Sequence, residues 1–178
     1  MNALPKFERM IHFVEFLKNL QKPPAILDEW IIEIKKETMR RGLAPNEIQD
    51  KQMKEILKHC GLAILGPLNR HRIILLLNNT SALTINEELE QALIHLFSEM
   101  KSWMDKHHPQ VVILYDYILR EFCQLLKRNE TVKKRYIFHT FTNKDCDDVL
   151  VYIPPKQKQT AIYDRIWAEM SADLKWIF

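Results

Sequence analysis

Three carboxylates, Asp145, Asp147 and Asp148, stand within four residues, with Lys144 before them and Lys156 beyond. Such a group can hold magnesium and set a lysine on the charge that develops in phosphodiester cleavage, the chemistry of a metal-dependent nuclease. The same composition also makes an ordinary polar turn, since Asp and Asn satisfy turn backbone and tolerate unusual dihedrals. The turn is the reading adopted here. Histidines offer less. His107 and His108 are adjacent, so on a helix their rings diverge by about 100° and do not meet on one metal. His59-Cys60 has the same defect, and His139 with Cys146 across a turn would supply only two of four ligands. Ser81, Ser98, Ser102 and Ser171 lie in helical or capping patterns with no strand–turn–helix elbow. Cys123 shares a helical side with Leu119 and Leu126 and reads as a core thiol. Nothing assembles into a catalytic set, and the chain reads as a binding protein and not an enzyme.

Binding chemistry is better supplied. Lys127, Arg128, Lys133, Lys134 and Arg135 cluster at a helix end and in the loop that follows, beside Tyr136 and Phe138. Residues 127–158 hold eight Lys/Arg against four Asp/Glu, whereas residues 1–126 balance at sixteen against sixteen. The formal excess of +3 is therefore concentrated in one segment. A local basic patch suits phosphates. Cations in a last helical turn also answer the helix dipole. The five basic residues are the candidate nucleic-acid contacts. Arg40-Arg41 and Arg70-His71-Arg72 are weaker candidates, because the exposed flank of a helix accounts for them.

These residues need a scaffold. The chain has 178 residues, 47% hydrophobic and 28% charged. A chain of this size buries roughly 70% of its unfolded surface, so neither disulfide nor metal is needed to hold a core. Its three glycines fall far below the average of about 7%, which excludes Gly-rich phosphate loops and argues against a turn-rich sandwich or barrel. Cys60, Cys123 and Cys146 are widely spaced and odd in number, which reads as free thiols in a reducing compartment. No apolar run approaches the ~20 residues of a membrane span. Met1-Asn2-Ala3-Leu4-Pro5 lacks a signal-peptide pattern, so a soluble intracellular protein is expected.

Apolar spacing divides the chain into helices over about 5–20, 25–41, 51–60, 67–77, 84–108, 111–128 and 159–175. Gly42 and Gly61 stand where C-terminal caps belong, and Pro67 where a helix opens. Thr84-Ile85-Asn86-Glu87 has the pattern of a capping box. Asp50 has the look of an N-cap. The β-branched and aromatic residues of 135–142 and 149–153, separated by the polar 143–148, predict a β-hairpin ended by Pro154-Pro155. The expected fold is one mainly α, compact multi-helix domain over residues 1–178, with a small β-hairpin near 135–153. Trp167, Trp176 and Phe178 are expected to close its core.

An ordered series of short words resembles a known family, the third poxvirus late transcription factor and its relatives in other large cytoplasmic DNA viruses. The series begins with Lys6-Phe7-Glu8-Arg9-Met10-Ile11-His12-Phe13 and Glu15-Phe16-Leu17. It continues through Lys106-His107-His108-Pro109 to Tyr115-Asp116-Tyr117-Ile118-Leu119 with Phe122. It closes with Tyr163-Asp164-Arg165-Ile166-Trp167 and Leu174-Lys175-Trp176-Ile177-Phe178. The resemblance implies a non-catalytic viral late-gene factor of the host cytoplasm, in the viral factory. Its expected partners are the viral RNA polymerase, other late factors, or promoter DNA reached through the basic segment, and a second copy of the chain is compatible with it. The alternative is a protein-interaction module with no nucleic-acid contact of its own, and an Mg-dependent nuclease is the weakest reading. Family members typically open with a cysteine-paired, zinc-ribbon-like segment. Here the first cysteine is Cys60, with no partner at ligand spacing, so no zinc site is carried onto this chain. The expectation is a C-terminal domain of a longer factor, or a variant without the ribbon, with no cofactor of its own.

Overall fold

The computed structural model describes residues 6–135 and 140–176, and every regular element among them is helical. The elements are α1 (Lys6–Leu20), α2 (Asp28–Arg40), α3 (Asp50–His59), α4 (Pro67–Leu77), α5 (Glu87–His107), α6 (Tyr115–Arg128), α7 (Glu130–Lys133), α8 (Asn143–Val151) and α9 (Ala161–Asp173). A single 3₁₀ turn, Pro45–Glu47, lies between α2 and α3.

Local chemistry sets several of the ends. Gly42 and Gly61 have φ of +67° and +74°, the left-handed backbone that ends a helix with a back-reaching bond. Leu43 N–H donates to Thr38 O at 3.1 Å and Leu62 N–H to Leu57 O at 2.7 Å. Two starts differ from expectation. Asn86, not Thr84, caps α5, its Oδ1 accepting from the N–H groups of Glu88 (2.9 Å) and Leu89 (3.3 Å). Asp50 lies inside α3 and is gripped by Arg70 of α4 at 2.8 and 3.2 Å, so it joins two helices instead of capping one.

The predicted hairpin does not form. Its return strand, with the polar segment before it, is α8. Thr142 and Asp145 make a reciprocal capping box, Thr142 N–H donating to Asp145 Oδ2 (2.6 Å) and Asp145 N–H to Thr142 Oγ1 (3.3 Å). Behind that cap, Cys146, Val149, Leu150 and Ile153 recur at helical spacing and face the core, while Val151 is exposed. Alternation at 149, 151 and 153 was therefore the wrong period, and burial against α6 decided between the two. Tyr136, Phe138 and His139 lie outside the described residues.

Buried apolar residues form two clusters. The larger joins α1, α5, α6, α8 and α9, with Phe13, Leu93, Phe122 and Trp176 among its fully buried members. The smaller joins α2, α3 and α4 around Ile34, Met53, Ile56 and Ile73. Trp176 closes the larger core as expected, Trp167 packs against it half-buried, and Phe178 lies outside the described residues. Ile162 of α9 is exposed, although Ile166 and Met170 of the same helix are buried.

Glu37 of α2 shows how charge is spent within the fold. It is 5% exposed and accepts from Arg40 at 2.6 Å and Arg41 at 2.7 Å, with His59 Nε2 at 3.3 Å. Hydrogen bonds from Arg40 and then Arg41 hold its carboxyl at about 2, against the opposing pull of desolvation. Because this pKa is lowered by folding, the carboxylate's contribution is complete above its ordinary value of 4.5 and is lost as pH falls toward about 2. Thermal melts of the wild type and Glu37→Gln should therefore differ near neutral pH and converge in acid. A gap that ignores pH would remove this role.

Candidate functional site

The five basic residues run from the last turn of α6 through α7 to the residues after it, and most have work inside the fold. Lys127 Nζ forms an ion pair with Asp147 of α8. Lys133 Nζ lies over the ring of buried Phe141, 5.5 Å from its centroid. Arg135 donates to Leu174 O (3.4 Å) and Lys175 O (2.9 Å), answering the carbonyls that end α9. Arg128 and Lys134 are exposed and form no close ion pair among the described residues, although Arg128 acts on the Glu121 carboxylate at longer range. The structure thus gathers the five and leaves these two facing solvent. The weaker basic candidates are engaged as well. Arg72 donates to Asn19 O (3.1 Å) and Lys22 O (2.6 Å), tying α4 to the end of α1, and His71 Nε2 meets Val151 O at 2.7 Å.

The acidic cluster is dispersed rather than convergent. Asp145 caps its own helix, Asp147 pairs with Lys127, and Asp148 pairs with Lys144 at 3.1 Å. The two neighbouring histidines both lie against Trp103, at 4.4 and 5.5 Å between ring centroids, but their nitrogens have separate partners: His107 Nδ1 meets Trp103 O at 2.9 Å and His108 Nε2 meets Glu169 at 3.3 Å. No group of three His, Cys, Asp or Glu that could hold a metal occurs among the described residues. Cys123 is buried beside Cys146, and the hydrogen bond between them, with burial, pushes the Cys123 thiol well above its ordinary pKa. That is the opposite of a nucleophile's activation.

A different feature stands out on the face formed by α5 and residues 111–114. Predicted as the start of a helix, these four residues precede it. Leu114, the residue before α6, is extended, with φ −65° and ψ 136°, and α6 begins at Tyr115. The segment leaves Val112 58% and Leu114 55% exposed. Beneath it is a groove of about 200 Å³ floored by Phe97, Met100, Met104 and Ile118. Arg9, His12 and Lys101 edge it, and no carboxylate is among its lining residues. Arg9 fixes the geometry, its guanidinium donating to Pro109 O at 2.9 Å and lying 3.8 Å from Asp105. Lys101 shares that carboxylate at 3.4 Å.

Comparison with known proteins decides the family. Residues 4–178 match the family model described as Poxvirus Late Transcription Factor VLTF3 like. The chain belongs to this family. No curated protein and no solved structure matches it. Its place in the poxvirus late transcription factor family gives it a viral late-transcription role. No helix among the described residues is long and apolar enough to cross a membrane.

Words that carry the family resemblance meet in space. Tyr117 Oη donates to Asp164 Oδ1 at 2.6 Å, and Asp164 also accepts from Thr160 (3.0 Å) and pairs with Lys156 (2.9 Å). Tyr115 Oη donates to Arg9 O at 3.4 Å. In this member of the family those segments hold α1, α6 and α9 in place. The groove was not read from the sequence. One signal was present, the uninterrupted apolar run Val111-Val112-Ile113-Leu114 after Pro109, but periodicity does not say which of four apolar residues stay outside.

Proposed function

We propose that this domain acts in viral late transcription by docking proteins of the transcription machinery, the polymerase or other late factors, in the host cytoplasm and without a catalytic step of its own. The exposed apolar edge of Val112 and Leu114 beside a groove carries this reading. Exposed apolar surface next to a concavity marks interaction sites. Val112→Asp tests it, because the side chain is already in water and the melting temperature should not move. Late-promoter reporter expression should fall by about tenfold, the loss of one good interface contact. Full reporter activity with Val112→Asp would reject the docking reading.

Contact with promoter DNA is the second reading, favoured by Arg128 and Lys134, which face solvent at the end of the basic segment. Arg128 and Lys134, the two of the five with no ion-pair, ring or carbonyl partner among the described residues, set a limit. Each neutralised phosphate adds about −0.9 to the slope of log K against log salt. Titration of a labelled duplex should give a slope no steeper than about −2 for two contacts. A slope near −4.5 would mean that Lys127, Lys133 and Arg135 leave their present partners and that all five act together.

A further inference from the structure

We infer that the groove under residues 111–114 takes a short peptide segment in which a bulky apolar side chain is flanked by aspartate or glutamate. This rests on the docking reading above and adds the chemistry of the partner.

Size comes first. A space of about 200 Å³ is smaller than the roughly 300–1,000 Å³ of small-molecule and cofactor sites. It suits one or two anchoring side chains of a peptide, the usual form of an interface hot spot. Met100 and Met104 in the floor are unbranched and polarisable, so they can adapt to the shape of an anchor. Val112 and Leu114 extend the apolar contact outward on one side.

Charge selects the flanks. Arg9, His12 and Lys101 line the groove, and Asp105 is one carboxylate shared between two of these cations. The edge therefore keeps a net positive charge. An acidic flank gains attraction and faster encounter there, while a lysine-rich flank meets like charge. The groove is also formed in advance. Arg9 holds Pro109 O, and Val111 N–H closes a turn onto His108 O at 3.1 Å, so less ordering is left for binding.

A random dodecapeptide library displayed on phage and selected on the full chain is the test. Enriched sequences should place Asp or Glu beside Phe, Leu, Met or Trp. The enriched peptide, made with a fluorescent label, should bind Val112→Asp at least about tenfold more weakly. Lys101→Met should weaken it about threefold to tenfold, mainly in the association rate. Unchanged melting temperatures for both variants would show that folding is intact. Enrichment without acidic residues, enrichment that survives Val112→Asp, or no enrichment at all would each overturn the proposal. So would a dimer in sedimentation that Val112→Asp converts to monomer, which would give the groove to a second copy of the chain. The two readings fail separately. Lost reporter activity with no acidic peptide removes only the peptide chemistry, whereas full reporter activity in Val112→Asp removes docking itself.

Discussion

Trp176→Ala is expected to destabilise the domain by about 3–5 kcal/mol, the usual range for truncating a buried Trp or Phe. The indole is 1% exposed and sits edge-on to Phe122 at 5.9 Å and 5.6 Å from Trp167. Its removal leaves a cavity beside Phe122 of α6 and Trp167 of α9. The loss is also polar. Trp176 Nε1 donates to Glu99 Oε2 of α5 at 3.1 Å, so alanine leaves that carboxylate without its donor. The backbone there is held independently, with Asn129 Nδ2 donating to Trp176 O (2.6 Å) and Trp176 N–H to Ser171 O (2.8 Å). Trp176→Phe keeps most of the ring but no donor, and should lose about half as much. Urea denaturation checks both: the midpoint should fall with an unchanged slope. A stability within about 0.5 kcal/mol of wild type would mean that the tail does not close the core.

Phe13→Ala should cost a similar amount, about 3–5 kcal/mol, and should reach the groove as well. Phe13 of α1 is 0% exposed. It stacks on Phe97 of α5 with centroids 4.2 Å apart and planes 6° from parallel, and meets Phe122 edge-on at 6.3 Å. It is an apolar anchor of α1 on α5, with Arg9 one turn before it and His12 the preceding residue on the same helix. Loosening that anchor frees Arg9 and His12 at the groove's edge, and Phe97 loses the ring that backs it from within. Phe13→Leu restores volume without the stack and should recover much of the stability. The expected pattern is a lower midpoint together with weaker binding of the acidic peptide. A stability loss with peptide affinity intact would show that α1 does not position the edge.

Most of the helices were legible in the sequence, because their signals are local, but the expected fold also held a β-hairpin where the structure has α8. Gly42 and Gly61 mark helix ends by a backbone angle that depends on neighbouring residues alone. Pro67 opens α4 for a similar reason. The spacing of Leu89, Leu93, Leu96, Phe97, Met100 and Met104 gave the inner face of α5 directly. Cys123 as a core thiol followed from the same rule. Where two periods fitted one stretch, locality was not enough. Val149, Val151 and Ile153 satisfy a strand, and Cys146, Val149, Leu150 and Ile153 satisfy a helix. The capping box of Thr142 with Asp145 and the packing of α8 on α6 chose the helix.

The site was much less legible. Long cationic side chains can serve a surface or the fold, and their sequence neighbourhood looks alike in both cases. Arg70 finds Asp50 twenty positions away, Arg135 finds the end of α9, and Arg9 finds Pro109. Sequence by itself determined most of the helices, where several of them end, and many of the residues that lie inward, because backbone angles and periodicity are settled within a few residues. Tertiary structure alone decided which charges are spent inside the fold and which apolar residues remain outside. Those outcomes depend on partners brought together from distant parts of the chain, and no local pattern encodes them.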